Sequence, residues 1–437
     1  MGAADASVVG GAVPEERWSL PARVAFRFCF LYFGLFCLSN QIITMVISWF
    51  SWNVPDPASL PPIRQLVFWV GAHVFHLPLP LVYEGSGSGD KAFDWTVVAI
   101  LLFVSVIATI VWSWLDRKRP NYEALLKWFR LCLRYLVAGQ LLSYGFGKVF
   151  PSQMPFPPLF TLMERFGNMS PMGVLWGSIG AAQAYEVFAG AAEATAGILL
   201  LFPRTALLGA MVAVADMTQV FLLNMTYDVP VKILSFHLLL MSAFLIAPEG
   251  ARLARFFILN EAVGPSREKP LFRSARANRI ALVAQIALGV WLLAMSIAGG
   301  VQMWRPARAK SPLYGIWHVE TMSIDGQVRA PLTTDSDRWG RIIFDYPTLA
   351  TIETVNDDWK HYRLKLDPEK STIDLSRDAN PKRSAHFAYD RKTPDAMVFD
   401  GAIDGRPVHV ELKREDETKF LLVSRGFHWR QDYPFNR

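Results

Sequence analysis

Long apolar runs alternate with short polar segments over the first 300 residues of the chain. Each run is long enough to cross a bilayer as a helix, which takes about 20 residues. Seven such runs cover residues 22–50, 95–115, 128–150, 180–202, 204–225, 229–247 and 280–301. Residues 63–77 alternate apolar and polar positions and predict a helix at the membrane surface. The pattern therefore predicts a polytopic helical bundle.

The pattern changes after a basic, proline-containing linker at residues 302–312. From residue 313 onward, short runs alternate apolar and polar positions, as half-buried strands do. Two Asp-Gly pairs, Asp325-Gly326 and Asp404-Gly405, are typical of hairpin turns. Eight to ten candidate strands with little helix predict an antiparallel β-barrel.

Composition agrees with a membrane bundle joined to a soluble part. Hydrophobic residues make up 52% of the chain and charged residues only 19%. The formal net charge is +6, but the basic residues flank apolar runs, which is a topology signal, so nucleic acid is excluded as a partner. The three cysteines all lie in apolar runs and predict no disulfide framework.

The distribution of Lys and Arg predicts the orientation in a cell (inner) membrane. Segments 116–130 and 250–279 are densely basic and are expected in the cytoplasm, whereas loops 51–94 and 151–171 are poor in Lys and Arg. Seven spans then place the N-terminus in the cytoplasm and the C-terminal barrel outside it.

Four ionisable residues fall in the outer half of the predicted spans, namely Glu186, Asp216, Lys232 and His237. Such residues are costly in a membrane and usually face a bundle interior. Two interpretations fit them: a functional pocket that opens outward, or polar bridges that merely join closely packed helices. Groups of both signs in one half of the membrane favour the pocket, with Glu186, Asp216 and His237 as candidates for proton transfer.

A second set of polar residues lies on the third run. Gln140, Tyr144 and Lys148 are spaced i, i+4, i+8 and share one face of a helix. Below them, Arg134 and Glu193 come to comparable depth. The spacing predicts a structural ion pair, Arg134–Glu193, that closes the pocket from the inside.

The predicted barrel begins with Gly315-Ile316-Trp317 and ends near Arg425. A G-x-W on the first strand with an arginine near the last resembles lipocalin-like barrels, in which the arginine packs over the tryptophan. Such barrels can hold one apolar ligand. A filled barrel that acts as a cap or docking surface remains the alternative.

Several motifs in the region 130–260 resemble the DoxX-like membrane family. They are Tyr144-Gly145-Phe146-Gly147-Lys148, Tyr185-Glu186 with Gly190 and Glu193, Asn224 with residues 227–232, and His237-Leu238-Leu239. The whole chain is similar to bacterial DoxX-like proteins that carry a C-terminal barrel. The resemblance implies a redox-linked membrane component, with quinone as a possible cofactor and a redox protein as a possible partner. It also implies a set of shared polar residues: Lys148, Glu186, Glu193, Asn224, Asp228, Lys232 and His237.

These observations divide the chain into five parts. They are a polar tail (1–21), two N-terminal spans with an external loop (22–125), a DoxX-like four-helix core (126–262), a basic segment with the last span and linker (263–312), and the barrel (313–437).

The candidate ligand pocket contains Gln140, Tyr144, Lys148, Glu186, Asp216, Asn224, Asp228, Lys232 and His237. No metal site is predicted. The alternatives to a redox role are binding or transport of an apolar small molecule or lipid, and a structural assembly role without catalysis.

Overall fold

The computed structural model describes residues 17–48, 55–266, 270–307, 309–377 and 384–436. The chain forms two compact units. The helical unit comprises Met1–Val149 and Phe188–Gly300, and the barrel unit comprises Phe150–Val187 and Val301–Arg437.

Thirteen α-helices lie in the described residues. They are α1 (Leu20–Ser39), α2 (Gln41–Ser48), α3 (Pro61–His73), α4 (Ala92–Leu115), α5 (Glu123–Val149), α6 (Leu159–Met163), α7 (Pro171–Ala181), α8 (Gln183–Leu201), α9 (Ala206–Thr226), α10 (Lys232–Ile246), α11 (Gly250–Phe257), α12 (Ala275–Ala307) and α13 (Leu421–Ser424). The predicted surface helix corresponds to α3.

Six of the described helical segments are long and apolar enough to cross a membrane. They are α1, α4, α8, α9, α10 together with α11, and α12. This confirms the predicted membrane bundle. The third predicted span, α5, is a helix of 27 residues but is not among the six. Its middle and C-terminal part is buried among other helices, where polar residues contact protein instead of lipid.

The first predicted span is not one continuous helix. α1 ends at Ser39, and Asn40 adopts an extended conformation before α2 begins. The Ser39 hydroxyl donates to the Leu35 carbonyl at 2.9 Å, a local hydrogen bond of the kind that bends helices. The aromatic residues Trp49, Phe50 and Trp52 at the end of this run lie outside the described residues.

Glycine allows α5 and α8 to approach closely. A Cβ atom added at Gly145 would lie 2.7 Å from the Ala194 nitrogen, and one added at Gly190 would lie 2.6 Å from the Gly145 carbonyl oxygen. Only residues without a Cβ permit this backbone contact, as in other small-residue helix crossings. At this crossing, the polar side chains that follow Gly145 on α5 face the polar side chains that follow Gly190 on α8.

Nine strands lie in the described residues of the barrel unit. They are β1 (Gly315–Ile324), β2 (Gln327–Val328), β3 (Trp339–Phe344), β4 (Leu349–Thr354), β5 (Trp359–Asp367), β6 (Thr372–Ser376), β7 (Ser384–Thr393), β8 (Ala396–Ile403) and β9 (Arg406–Glu415). Each of β3 to β8 pairs antiparallel with the strand that follows it, and β1 pairs with both β3 and β9. Eight strands therefore close into the predicted antiparallel barrel, and β2 forms a short hairpin with β1.

The barrel interior is filled over much of its length by apolar side chains. Trp317, Phe344, Phe387 and Phe399 are fully buried in one cluster. At the end of the barrel where β3 begins and β8 ends, apolar side chains do not fill the interior, and a cavity of about 350 Å³ remains. The barrel is thus closed at one end by its own core and open at the other.

The predicted contact between Arg425 and Trp317 is wrong. Arg391 on β7 places its guanidinium 5.7 Å from the centre of the Trp317 ring, and the indole N–H donates to the Leu313 carbonyl at 3.0 Å. Arg425 lies beyond β9, where its guanidinium packs over Phe435 at 4.1 Å. β7 brings Arg391 to the end of the barrel where Trp317 lies, whereas the segment after β9 makes local contacts.

A short helix packs on the outer face of the barrel. Leu159 of α6 is buried against Ile316 and Ile343. The Asp345 carboxylate accepts hydrogen bonds from the backbone N–H groups of Leu159 and Phe160 at 2.7 and 3.3 Å. Burial raises the pKa of Asp345, although these two hydrogen bonds act in the opposite direction.

Candidate functional site

The centre of the helical unit contains an ion pair between Lys148 on α5 and Glu193 on α8. Both side chains are buried, and the ammonium donates directly to Oε1 of Glu193. The Gly145–Gly190 crossing positions the two residues, since each follows its glycine by three residues on the facing surfaces.

Glu193 therefore has a different partner from the one that the sequence predicts. Arg134 donates to Oε1 of Gln285 at 2.6 Å and packs against Tyr135. Lys148 lies about 21 Å further along α5 than Arg134, at 1.5 Å per residue. The level at which α5 and α8 cross places Glu193 beside the C-terminal end of α5.

Two more polar side chains lie near enough to this pair to interact with it electrostatically. Asp216 on α9 is half-buried, and the charges of both Glu193 and Lys148 act on it. Tyr144, one turn before Lys148, interacts electrostatically with Glu193, and its hydroxyl accepts a hydrogen bond from the Gln41 amide at 3.0 Å. Lys148, Glu193 and Asp216 together provide one ammonium and two carboxylates, and we call these three residues the charge cluster. The Tyr144 phenol lies at the edge of this cluster.

Tyr144 connects the charge cluster to a cavity of about 370 Å³ in the helical unit. Asn40 and Gln41 line the cavity beside Tyr144, and a Gly/Ser-rich loop, residues 84–89, lines another side. Further polar lining comes from Asp56, Tyr83, Lys91 and Asp94. Gly85 and Gly87 have φ of 71° and 73°, which favours glycine at those two positions. We call this space the interior cavity.

Asp90 fixes the end of that loop. Its carboxylate accepts hydrogen bonds from the backbone N–H groups of Lys232 and Ile233 at 2.8 and 2.9 Å, and so caps the N-terminus of α10. Lys232 itself pairs with Asp228 at 2.8 Å. Sequence reasoning missed Asp90; an acid that ends a Gly/Ser run was the available signal, but its partner lies 142 residues later in the chain.

Lys232 and Asp228 therefore belong to this connection and not to the charge cluster. Asn224, the other candidate at the end of α9, donates to the Ser235 hydroxyl at 3.0 Å and joins α9 to α10. These three predicted pocket residues hold the α9–α10 turn.

His237 also lies apart from the charge cluster. Its Nδ1 bonds to the Ile233 carbonyl and its Nε2 to the Tyr32 hydroxyl, both at 2.7 Å. The Phe36 ring stacks on the imidazole with centroids 3.7 Å apart. The structure places His237 in the packed contact between α1 and α10.

The two remaining candidates have separate surroundings. Gln140 is fully buried and its amide lies 3.6 Å from the Met45 sulfur on α2. Glu186 is fully buried at the start of α8, and its Oε1 accepts a hydrogen bond from the Met154 N–H at 2.9 Å. The structure thus brings Tyr144, Lys148, Glu193 and Asp216 together and distributes the other candidates elsewhere.

A second candidate site is the open end of the barrel. Its cavity is lined by apolar side chains that include Trp339, Leu375 and Val408, and by charged residues that include Lys360 and Arg377. In the described part of the chain, no group of three or more His, Cys, Asp or Glu side chains is arranged to hold a metal ion.

Comparison with known proteins identifies one distant relative. No family model and no solved structure matches the chain. The chain is similar to YwoB, an uncharacterized protein of Bacillus subtilis (strain 168), with 29% identity over 133 residues. The match covers 28% of this chain and 79% of YwoB.

Proposed function

We propose that this chain is a DoxX-like component of a bacterial cell membrane that binds the head group of a quinone in the interior cavity and exchanges protons with it. The observation that carries the proposal is the charge cluster, whose Lys148–Glu193 pair is buried in a bundle that contains membrane-capable helices, and which lies next to the cavity through Tyr144. The redox part of the proposal rests on the family resemblance. The Lys and Arg distribution supports a cytoplasmic N-terminus and an extracytoplasmic barrel.

Charge balance explains why such a cluster suits proton exchange. Lys148 offers one positive charge to the two carboxylates of Glu193 and Asp216. In a low-dielectric interior an unbalanced charge is costly, so the neutral cluster holds one additional proton. Reduction of a quinone to a quinol consumes two protons and two electrons. In this proposal the cluster passes its additional proton to the quinone through Tyr144, takes up a second proton from the solvent and passes that proton on in the same way, and a redox partner protein supplies the two electrons.

The test is extraction and mass spectrometry of protein purified in mild detergent. We expect quinone with the wild type, and at least tenfold less quinone per protein with Asp216→Asn or Glu193→Gln. Asp228→Asn makes the same chemical change at an exposed acid outside the cluster and should retain quinone. Wild-type protein without quinone, or equal loss in Asp228→Asn, would contradict the proposal.

The open barrel end favours a second candidate function, capture of an apolar small molecule. A cavity of about 350 Å³ with Trp339 and Leu375 in its wall is large enough for such a ligand. Ala385→Phe would fill this cavity, whereas Ala388→Phe on the same strand points to the outer face and is the matched control. A copurified apolar molecule lost only in Ala385→Phe would place ligand binding in the barrel. If neither quinone nor an apolar molecule copurifies with the wild type, an assembly role without catalysis becomes the best account.

A further inference from the structure

Large apolar side chains are exposed in the residues that follow β9. The exposed fractions of Phe427, Trp429 and Tyr433 are 76%, 94% and 85%, and two leucines of α13 are exposed as well. Phe427 and Trp429 pack edge to face, with ring centroids 5.1 Å apart. Apolar side chains that are grouped on a surface in this way mark a contact with a membrane or with another protein. We call residues 420–436 the C-terminal segment.

Strand register places the C-terminal segment at one particular end of the barrel. Ile316 at the start of β1 pairs with Glu415 at the end of β9, so the segment begins at the end of the barrel where β1 begins. Phe420 packs against the buried cluster that contains Ile316. Just before the segment, Arg414 donates to the Glu417 carboxylate at 3.1 Å. These contacts hold the start of the C-terminal segment against this end of the barrel.

The same end of the barrel is attached to the last membrane-capable helix. The last turns of α12 contain Trp304 and Arg305, and both residue types are common where a membrane helix reaches the head-group region. α12 ends at Ala307 and β1 begins at Gly315. The chain between these two residues spans at most about 30 Å, because consecutive Cα atoms are about 3.8 Å apart. The start of β1 is therefore tethered close to the bilayer.

The composition of the C-terminal segment favours a membrane surface as its partner. Tryptophan and tyrosine are enriched at the head-group level of a bilayer, because each combines an apolar ring with a polar group. The segment carries two arginines, Arg425 and Arg430, and one carboxylate, Asp432, which pairs with Arg430 at 3.1 Å. It therefore has no excess of negative charge that phosphate head groups would repel. A bilayer is also the surface to which α12 tethers this end of the barrel.

We propose that the C-terminal segment inserts Phe427, Trp429 and Tyr433 into the head-group region of the bilayer, in the leaflet at the C-terminal end of α12. The barrel is then attached to the membrane twice at the same end, through the linker after α12 and through the segment. Its open end, where the cavity lies, faces away from the bilayer, so a ligand of the barrel enters from the water. The proposal concerns the attachment of the barrel and is independent of quinone binding.

The test uses the full-length protein in proteoliposomes of phosphatidylcholine and phosphatidylglycerol, with spin-labelled phosphatidylcholine as a quencher. The three native cysteines are replaced by alanine, and an environment-sensitive fluorophore is attached at Trp429→Cys or at Gln327→Cys. Gln327 is the matched control, because it is exposed on β2 at the opposite end of the barrel. We expect the spin label to quench the fluorophore at position 429 at least three times as strongly as at position 327. Equal quenching at the two positions would overturn the proposal.

The same measurement separates a lipid contact from a protein contact. If protein covers the C-terminal segment, the emission from position 429 will shift to shorter wavelength without quenching by the spin-labelled lipid. That result would overturn the proposal.

The contribution of the aromatic side chains is measured with double variants that carry the fluorophore at position 429. F427Q/Y433Q should at least halve the quenching, because it removes two of the inserted rings. V328Q/L332Q changes two exposed apolar side chains outside the segment and should leave the quenching unchanged. Undiminished quenching in F427Q/Y433Q, or an equal decrease in both double variants, would contradict insertion through these rings.

A second readout keeps the native cysteines and the Trp429 side chain itself. In protein labelled with fluorotryptophan, the fluorine resonance of Trp429 is identified by its absence in Trp429→Phe. We expect the spin-labelled lipid to broaden this resonance in protein reconstituted in nanodiscs. A Trp429 resonance that the lipid leaves unbroadened would overturn the proposal, whatever the effect of the cysteine replacements on folding.

Discussion

The Tyr32 hydroxyl donates a hydrogen bond to Nε2 of His237 over 2.7 Å. The direction follows from the other ring nitrogen: the Ile233 carbonyl can only accept, so Nδ1 carries the hydrogen and the neutral ring accepts at Nε2. Phe36 covers the imidazole face. This pair joins α1 to α10 and explains why an ionisable side chain lies in an apolar part of the bundle.

Removing the Tyr32 hydroxyl leaves Nε2 of His237, a buried hydrogen-bond acceptor, without its donor. We expect Tyr32→Phe to lower the stability of the helical unit by about 1–3 kcal/mol. Thermal unfolding in detergent would measure the change. Tyr227→Phe is the control, because the Tyr227 hydroxyl has no hydrogen-bond partner among the residues that the structure describes. An equal loss in both variants would show that the Tyr32–His237 bond contributes nothing specific.

Replacing one member of the Lys148–Glu193 pair leaves an uncompensated buried charge. We expect Lys148→Met to destabilise the helical unit by about 3–5 kcal/mol, because Glu193 and Asp216 then lack their cation. The double variant K148M/E193M should recover part of this loss, since it removes one of the two carboxylates as well. Thermal unfolding of both variants measures whether K148M/E193M is more stable than Lys148→Met. A double variant that is less stable than Lys148→Met would contradict this prediction.

The raised pKa of Asp345 predicts that the free energy of unfolding of the barrel unit depends on pH. Burial raises its pKa above the ordinary value of 3.8, so the folded state binds a proton that the unfolded chain has already lost. Its contribution to stability is fully present below that ordinary value and is lost as the pH rises through the raised pKa. The unfolding free energy of the wild type relative to Asp345→Asn should therefore increase from about pH 7 to about pH 4. Chemical denaturation of both proteins at several pH values measures it, and a decrease would show that hydrogen bonding by the ionised carboxylate outweighs burial.

Substitution of Arg391 and of Arg425 compares the contributions of the two arginines to the stability of the barrel. We expect Arg391→Ala to cost about 0.5–1 kcal/mol, because the guanidinium lies over the Trp317 ring at an exposed position. Arg425→Ala should change barrel stability by less than about 0.5 kcal/mol, since Arg425 contacts the C-terminal segment. Denaturant unfolding compares the two, and a larger effect of Arg425→Ala would support the contact expected from the sequence.

The sequence by itself determined the class of each part of the chain. In lipid, backbone groups must be satisfied within a helix or a closed barrel, so long apolar runs can be assigned as membrane helices from composition alone. The alternation after residue 313 likewise required half-buried strands, and the turn at Asp404-Gly405 was identified from its residues, both with positive φ.

Only the tertiary structure decided which polar residues meet. Sequence gives depth along a helix and the face that a side chain occupies, but not the level at which two helices cross. The glycine crossing at Gly145 and Gly190 selected Lys148 as the partner of Glu193. Barrel closure selected Arg391 for Trp317 in the same way. Partner choice depends on packing between elements that are distant in the chain, and periodicity within one element carries no information about it.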